Sequence, residues 1–440
     1  MTRPPLVLVP QYFGSTVFDR RTSRYMPFDQ PATNFLRSLC DGDAVTAIDA
    51  SDAESCDGLF DFYQDFYRRG FFTVDGRFAG VALDAIPPSD HLLGPLALHL
   101  EVVAACNLKC VHCFAGELPR KEEPLSLNEL DDLFAQMAAI GTFRLGLTGG
   151  EPLLRKDLFD IIDLALSHGL CPCVTTNGLL ITEDIAREFG KRELVWLNVS
   201  LEGATAATND PIRGSGTFDR VVEQLRILRK HCRFTLAFTI MATNLHEVQA
   251  CAKLAEEAGA GTAVFRPLYP VGVARHHLDL MPTFQQYSDA LLELESMRDD
   301  HLDLNHIDPF SPVRRQAASA NVCQNHGCGA GNTVCSVSVS GNVSPCSFLG
   351  PDSYTANVRQ QTLRDIWDNS CGFTGIRELP DAEPGDSAVF SGGCRARSLV
   401  LNGSISAADP WVQNSSGTRR HPLEIVNLTV RGHRQEAHCP

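Results

Sequence analysis

Two hydrophobic rhythms divide the chain. Over residues 1–85, short apolar runs at Leu6–Pro10, Ser15–Asp19 and Tyr25–Phe28 alternate with polar turns, which predicts three strands. Helical spacing follows at about Pro31–Leu39 and Cys56–Arg69, the second carrying Leu59, Phe60, Phe62, Tyr63 and Phe66 mostly on one face. Gly70 stops that helix, and Phe71–Phe78, with Asp75-Gly76 inside it, predicts a hairpin. Together these elements describe a small winged-helix-like module. From Leu98 to about Pro267 the rhythm becomes strand–helix alternation. Strands are expected at Leu98–Val103, Phe143–Thr148, Cys171–Thr176, Leu194–Ser200, Phe234–Met241 and Thr262–Pro267. Ser126 and Glu129 form a capping-box signal for the first helix. Nearly all-apolar strands in six β/α units imply a parallel sheet covered by helices. The expected fold class is therefore α/β: a partial (β/α)6 TIM-like barrel, open on one side, with the winged-helix-like module before it.

After Ser311 the composition shifts to Cys, Gly and Ser, which predicts a C-terminal Cys-rich domain. The expected divisions are 1–85 (module), 86–97 (linker, within a Pro87-Pro88 stretch), 98–310 (barrel), 311–412 (Cys-rich domain) and 413–440 (tail, with Leu423–Val430 a candidate docking strand). Composition removes several classes of function. Acidic side chains number 53 against 38 basic, a formal charge of −15, and residues 1–84 carry 12 acidic and 8 basic groups, so nucleic acid is not an expected partner. No stretch approaches a membrane span and no signal peptide is evident, so the expectation is a cytoplasmic protein without a membrane partner. Sixteen cysteines in such a chain point to metal or redox chemistry rather than disulfides.

The cysteines concentrate first at Cys106-Asn-Leu-Lys-Cys110-Val-His-Cys113, directly after an apolar run. One short loop thus presents three thiolates to one inorganic object. Structural zinc wants four ligands, and no fourth Cys or well-placed His closes this loop; His112 joins only by distorting it. A four-iron cluster held by three thiolates keeps one iron open for a small molecule. Other unusual residues fall where barrels carry active sites, at the C-terminal ends of expected strands. Gly149-Gly150-Glu151-Pro152 follows the second, Thr176-Asn177-Gly178 the third and Ser200-Leu201-Glu202-Gly203 the fourth, while Arg266 ends the sixth. Cys171 and Cys173, two apart on a strand, read as buried core residues.

From Leu98 to Tyr269 these residues resemble the radical S-adenosylmethionine (SAM) enzymes, on the Cys-x3-Cys-x2-Cys loop and the Gly-Gly-Glu-Pro after it. The resemblance implies a [4Fe–4S] cluster on Cys106, Cys110 and Cys113, with SAM on its open iron and an external electron donor, flavodoxin- or ferredoxin-like. It implies SAM contacts at His112, Gly149, Gly150, Glu151, Pro152, Thr176, Asn177, Ser200, Arg213 and Arg266. Gly149 and Gly150 would let backbone approach the methionyl part, Glu151 would accept from its ammonium, and Arg213 would pair with its carboxylate. No side chain beyond the cluster and SAM is expected to be catalytic. Two positions depart from the family pattern. His112 stands where an aromatic carbocycle is usual, and Glu202 stands where Asp is usual; Glu202 is given no role.

Further on, Cys328, the Gly341 turn, Cys346 and Gly392-Gly393-Cys394 resemble the auxiliary-cluster domain of the SPASM group and its shortened "twitch" relatives. Val412 stands where the long form has Cys, so the resemblance implies one auxiliary [4Fe–4S] cluster on Cys328, Cys346 and Cys394, with Cys323, Cys335 and Cys371 as candidates for a further ligand. The N-terminal elements resemble the recognition element that captures leader peptides of ribosomally made precursors. The combination implies a maturase that takes a hydrogen from a C–H bond of a precursor peptide, giving a thioether or carbon–carbon cross-link, an epimer or a decarboxylated residue. Two other readings stay open: the same chemistry on a small-molecule or cofactor precursor, and a non-catalytic peptide-binding iron–sulfur protein.

Overall fold

Alternation along the first strands sorts their side chains into two separate cores. The computed structural model describes residues 3–42, 53–116, 123–297, 302–306, 328–379, 393–407 and 409–411, with the side chains of 41, 53–60, 305 and 306 excepted. Cys323 and the tail, including Leu423–Val430, lie outside the described residues. Strands β1 (Leu6–Gln11), β2 (Gly14–Asp19) and β3 (Arg24–Asp29) form an antiparallel meander. Leu6, Leu8, Val17 and Phe28 point from one face into a small core shared with Phe35 and Leu36 of α1 (Gln30–Asp41) and Phe62 and Phe66 of α2 (Ala53–Arg68). Asp29 caps α1 by accepting from Ala32 N–H, and Pro31 sits in its first turn, where no amide hydrogen is missed.

From the opposite face, Val7, Val9, Phe18 and Tyr25 enter the core of the large domain. The Tyr25 hydroxyl donates to Gly141 O at 2.8 Å and accepts from Phe143 N–H at 2.7 Å, and Phe18 stacks on Phe143 with centroids 4.9 Å apart. The module is therefore docked through a whole sheet face. The hairpin expected at Phe71–Phe78 is reduced to a single bridge, Phe72↔Phe78. Phe71, Phe72 and Phe78 all bury in the same small core, which a period of two does not permit. The next strand, β4 (Gly80–Ala82), instead runs parallel to β1.

All six strands expected in the central region are present: β5 (Ala97–Val103), β6 (Arg144–Gly149), β7 (Cys171–Thr176), β8 (Trp196–Ser200), β9 (Thr235–Ile240) and β10 (Thr262–Pro267). They pair in sequence order, all parallel, with amphipathic helices between them. The first of these helices, α3 (Leu127–Ala139), has the capping box of Ser126 and Glu129. Two strands lengthen the parallel run, β11 (Asp303–His306) beside β10 and β12 (Val334–Val337) beside β5. Antiparallel β13 (Asn342–Ser344) and β14 (Ala356–Asn357) complete a ten-stranded sheet whose two edge strands do not pair with each other. This is a partial TIM-like barrel, and the Cys-rich segment continues its sheet.

The strands are not all-apolar, as expected above; they alternate. Leu98 and Leu100, Leu145 and Leu147, Leu236 and Phe238 face the helices and bury in the main core. The intervening positions, among them His99, Thr148, Cys173, Asn198, Thr239 and Arg266, are polar and face inward. Helices cover only the outer face, so only that face must be apolar, and the barrel encloses a polar chamber rather than a packed core. The connection from β4 to β5 is fastened at both sides: Leu93 N–H donates to Gln11 Oε1, and Leu92 O accepts from the Trp367 indole at 2.7 Å. Among the described residues no helix is long and apolar enough to cross a membrane.

Candidate functional site

The cysteine loop leaves the C-terminal end of β5 and is tied to its neighbours mainly by backbone. Gly150 N–H donates to Val103 O at 2.6 Å and Glu151 N–H to Ala105 O at 2.8 Å. Gly149 has φ +115°, and a Cβ on it would stand 2.4 Å from Val103 O; one on Gly150 would stand 2.1 Å from Ala105 O. The close approach these glycines permit is to the cysteine loop's own backbone. Further along, Val111 N–H donates to Ile212 O and Val273 N–H to Cys113 O.

Glu151, Thr176 and Asn177 form one unit. Glu151 Oε1 accepts from the Thr176 hydroxyl at 2.6 Å and from Leu153 N–H at 3.1 Å, while Oε2 accepts from Asn177 N–H at 2.7 Å. Burial pushes the Glu151 carboxyl above its ordinary pKa, with these three donors opposing the shift. One lone-pair direction of Oε2 stays free for a further donor. Pro152 opens a 3-10 turn capped by Glu151, and Asn177 Nδ2 reaches Asn107 Oδ1 at 2.7 Å inside the loop. Ser200, at the end of β8, has no side-chain partner among the described residues.

The two departures from the family pattern meet in space. Glu202 Oε1 takes His112 Nε2 at 3.0 Å and Arg213 NH1 at 2.9 Å, and Oε2 accepts from Thr239 N–H at 2.7 Å. Burial raises the Glu202 pKa, but His112, Arg213 and the Thr239 amide outweigh it and leave the carboxyl below its ordinary value. With Nε2 held, His112 Nδ1 is buried without a partner, as is Arg213 Nε. Arg213 is thus engaged through NH1 with Glu202, while its Nε carries no partner among the described residues. The sequence signal for this triad was the paired departure itself: a nitrogen acceptor–donor ring and a longer carboxylate replaced their usual counterparts together.

The loop thiols are close enough to influence one another. Burial pushes Cys110 up to about 11, with Cys113, Glu202 and Cys106 adding to it and Arg213 opposing, and burial also raises Cys113. Among the described residues no three His, Cys, Asp or Glu groups converge on one metal ion. Three thiols, the orphaned His112 Nδ1 and Arg213 Nε, and the free Glu151 direction together fit a cluster bearing an amino-acid ligand. Arg266 is not brought to this loop; its charge bears on Cys173 and Tyr269.

Cys328, Cys346 and Cys394 come together in an apolar pocket with Val271, Ala330, Leu349 and Ile376. Burial raises Cys346 to about 12, and the Cys328 thiol adds to it. Cys394 N–H donates to Asp409 Oδ2 at 2.8 Å, and Asp409 is clamped by Arg397, the pair fully buried with Arg397 3.9 Å from the Trp411 ring centre. Cys335 is not part of this group, since it packs in the main barrel core opposite Leu98, and Cys371 is exposed. The two thiol sites are joined by aromatic rings. Phe114, next to Cys113, meets Phe348 edge-on at 5.3 Å, and Phe348 stacks on Tyr269 at 4.7 Å.

Sequence comparison agrees with this division. The pattern of the radical SAM superfamily matches residues 100–255, and that of an iron–sulfur cluster-binding domain, SPASM, matches residues 328–387. The mycofactocin maturase MftC of Mycobacterium tuberculosis is 30% identical over 325 residues, covering 72% of this chain and 82% of MftC. An AdoMet-dependent heme synthase of Methanosarcina barkeri is 29% identical, with 72% and 96% covered. Among solved structures, Streptococcus suis SuiB bound to its precursor peptide SuiA superposes with a TM-score of 0.70 at 14% identity, covering 93% of this chain and 98% of SuiB.

Proposed function

Because this chain belongs to the radical SAM superfamily, we propose that it is a peptide maturase whose N-terminal module presents a precursor peptide to the barrel. The observation that carries the radical chemistry is the three-thiol loop pinned to the ends of β6, β7 and β8. Cys106, Cys110 and Cys113 would hold a [4Fe–4S] cluster, and Cys328, Cys346 and Cys394 an auxiliary one. When bound and reduced, the first cluster supplies the electron that splits SAM into methionine and a hydrogen-abstracting 5′-deoxyadenosyl radical.

The chain's own residues then hold and orient. Glu151 accepts from the SAM ammonium through its unused lone pair, while Gly149, Gly150 and Pro152 shape the turn that aims it. Thr176 and Asn177 fix Glu151 and steady the loop; Ser200 lies open to the chamber for a SAM hydroxyl. His112, held through Nε2, offers Nδ1 as an acceptor beside the cluster loop, and Arg213 leaves Nε for an anion. A flavodoxin- or ferredoxin-like protein is the reductant that this chemistry requires.

The peptide reading is supported by the N-terminal module, which resembles a leader-recognition element. Strand β3 is an edge of its sheet, the kind of site to which a peptide strand adds. The maturase relative supports the same reading, and the heme synthase relative favours the alternative of a cofactor-precursor substrate. Anaerobic incubation of the reduced, reconstituted protein with SAM and the peptide encoded beside its gene separates the two. Loss of two hydrogens from the peptide denotes a cross-link or desaturation, and uptake of one deuterium from heavy water denotes epimerisation. An unmodified peptide that also fails to bind residues 1–85 in the full chain would shift the assignment to a small molecule.

A further inference from the structure

Inside the barrel, two cations have no ion pair among the described residues. Arg266, near the end of β10, is half-buried, and its Nε is buried with no hydrogen-bond partner among the described residues. Arg144, at the start of β6, lies 5.4 Å from the centre of the Trp196 ring. Among the described residues no carboxylate forms an ion pair with either guanidinium; Glu151 and Glu202 are spent on Thr176, Asn177, His112 and Arg213. Both arginines bear on His99 and on Cys173 from different sides of the chamber. Burial and these two charges hold His99 at about 4, so its ring is neutral at ordinary pH and supplies no third cation.

The chamber is shaped as well as charged. His99 Nδ1 lies 3.3 Å from Ser347 Oγ, and Gly146 leaves the ring its space, since a Cβ there would stand 3.0 Å from it. Asn198 Nδ2 contacts Cys173 Sγ at 3.4 Å and Thr175 Oγ1 at 3.3 Å. A guanidinium does not shed its proton in a protein, so enclosing one unpaired is unfavourable unless an anion arrives from outside the chain. The place of that anion follows from its neighbours. Ser347 adjoins Cys346, and Arg266 bears on Tyr269, which stacks on Phe348. The chamber therefore reaches the auxiliary thiols, through His99 against Ser347 beside Cys346.

We propose that Arg266, with Arg144 at the start of β6 adding its charge, binds a carboxylate of the substrate: the C-terminal carboxylate or an acidic side chain of the peptide region being modified. The carboxylate site rests on the chamber alone, and its assignment to a peptide rests on the function proposed above. The reconstituted, SAM-loaded full chain is titrated calorimetrically with N-acetylglutamate and with its neutral diamide. The acid is expected to bind at least about tenfold more tightly, and Arg266→Gln and Arg144→Gln are each expected to lose roughly 10- to 100-fold of that preference, with Arg266→Lys keeping part of it. Equal binding of acid and diamide overturns the proposal. So does Arg266→Gln binding the acid like the parent, or losing SAM affinity while acid binding persists. If Arg266→Gln does not fold, Arg144→Gln carries the same comparison. Peptides with a C-terminal amide, or with single Asp→Asn or Glu→Gln changes, then identify the source: the carboxylate held raises KM about tenfold when removed. If the parent modifies no peptide yet selects the acid, the peptide reading fails and the anion site stands; if it modifies all these peptides alike and ignores the acid, the anion site fails and the peptide reading stands.

Discussion

Cys106, Cys110 and Cys113 come from a single loop and are steadied by polar contacts, whereas Cys328, Cys346 and Cys394 come from separate segments and meet in an apolar pocket. The first triplet is surrounded by donors and charges: Leu108 N–H points at Cys106 Sγ, and Arg213 bears on Cys110 and Cys113. The second has hydrophobic walls and one guanidinium, Arg397, already neutralised by Asp409. Hydrogen bonds and cations near cluster sulfurs ease reduction, and a dry pocket opposes it. The contrast assigns different work to the two sites. On the function proposed above, the polar one would receive an electron and a charged ligand, and the dry one would stay intact.

Breaking one triplet at a time gives the largest expected effect. Cys110→Ala should abolish both peptide-free 5′-deoxyadenosine formation and product, while Cys346→Ala should keep the former and lose the latter; chromatography of the nucleoside and iron analysis of both variants check this. Loss of SAM cleavage in a folded Cys346→Ala protein would end the division of labour. Next in size is the buried Arg397–Asp409 pair. Arg397→Met leaves Asp409 uncompensated and should cost about 3–5 kcal/mol in urea unfolding, with the auxiliary iron lost before the first cluster.

A smaller effect sharpens the polar side. His112→Phe and Glu202→Gln should each weaken SAM binding, and together should fall short of additivity by about 1–3 kcal/mol, because each removes the same contact. Additive losses in equilibrium SAM titrations would mean that the pair is not a unit. The smallest concerns the clamp between barrel and Cys-rich segment, where Arg359 and the Ser126 amide hold Glu129 at about 2 against an ordinary 4.5. A carboxyl lowered by folding stabilises fully above the ordinary value and ceases to do so as pH falls through the folded one. Arg359→Met should therefore lower stability at pH 6 modestly, since the pair is partly exposed, and flatten the decline between about pH 4.5 and 2. Thermal melts across that range measure it.

Legibility in the sequence followed the distance over which residues act. The six strands, the Ser126 cap and the Cys106–Cys113 loop depend on neighbours in the chain, and periodicity reveals them. Cys328, Cys346 and Cys394 were proposed by resemblance, and the structure places them in one apolar cluster. The polar chamber was missed because runs such as Leu98-His99-Leu100 look apolar until the inward and outward positions are separated. His99, Asn198 and Arg266 at inward positions were the available signal. Glu202 gained a role only when its carboxylate met His112 across the barrel, and Asp409 only when it met Arg397 and the Cys394 amide. The Phe71–Phe78 hairpin forms only as a short turn, with Thr73 N–H donating to Arg77 O, Gly76 at positive φ and one antiparallel bridge, Phe72↔Phe78.

The parallel pairing of β5 with β12 sets an order of events during synthesis. The strand that carries the cysteine loop finds its second neighbour only in Val334–Val337, far later in the chain. At ordinary ribosomal rates, roughly 5–20 residues per second, β5 waits about 10–50 s with one edge bare. Throughout that interval the loop thiols stand beside an unpaired edge, open to iron–sulfur delivery and equally open to aggregation. Once β12 zips on, it closes that edge and brings Cys346 alongside, so the first site is at its most accessible before the second one exists.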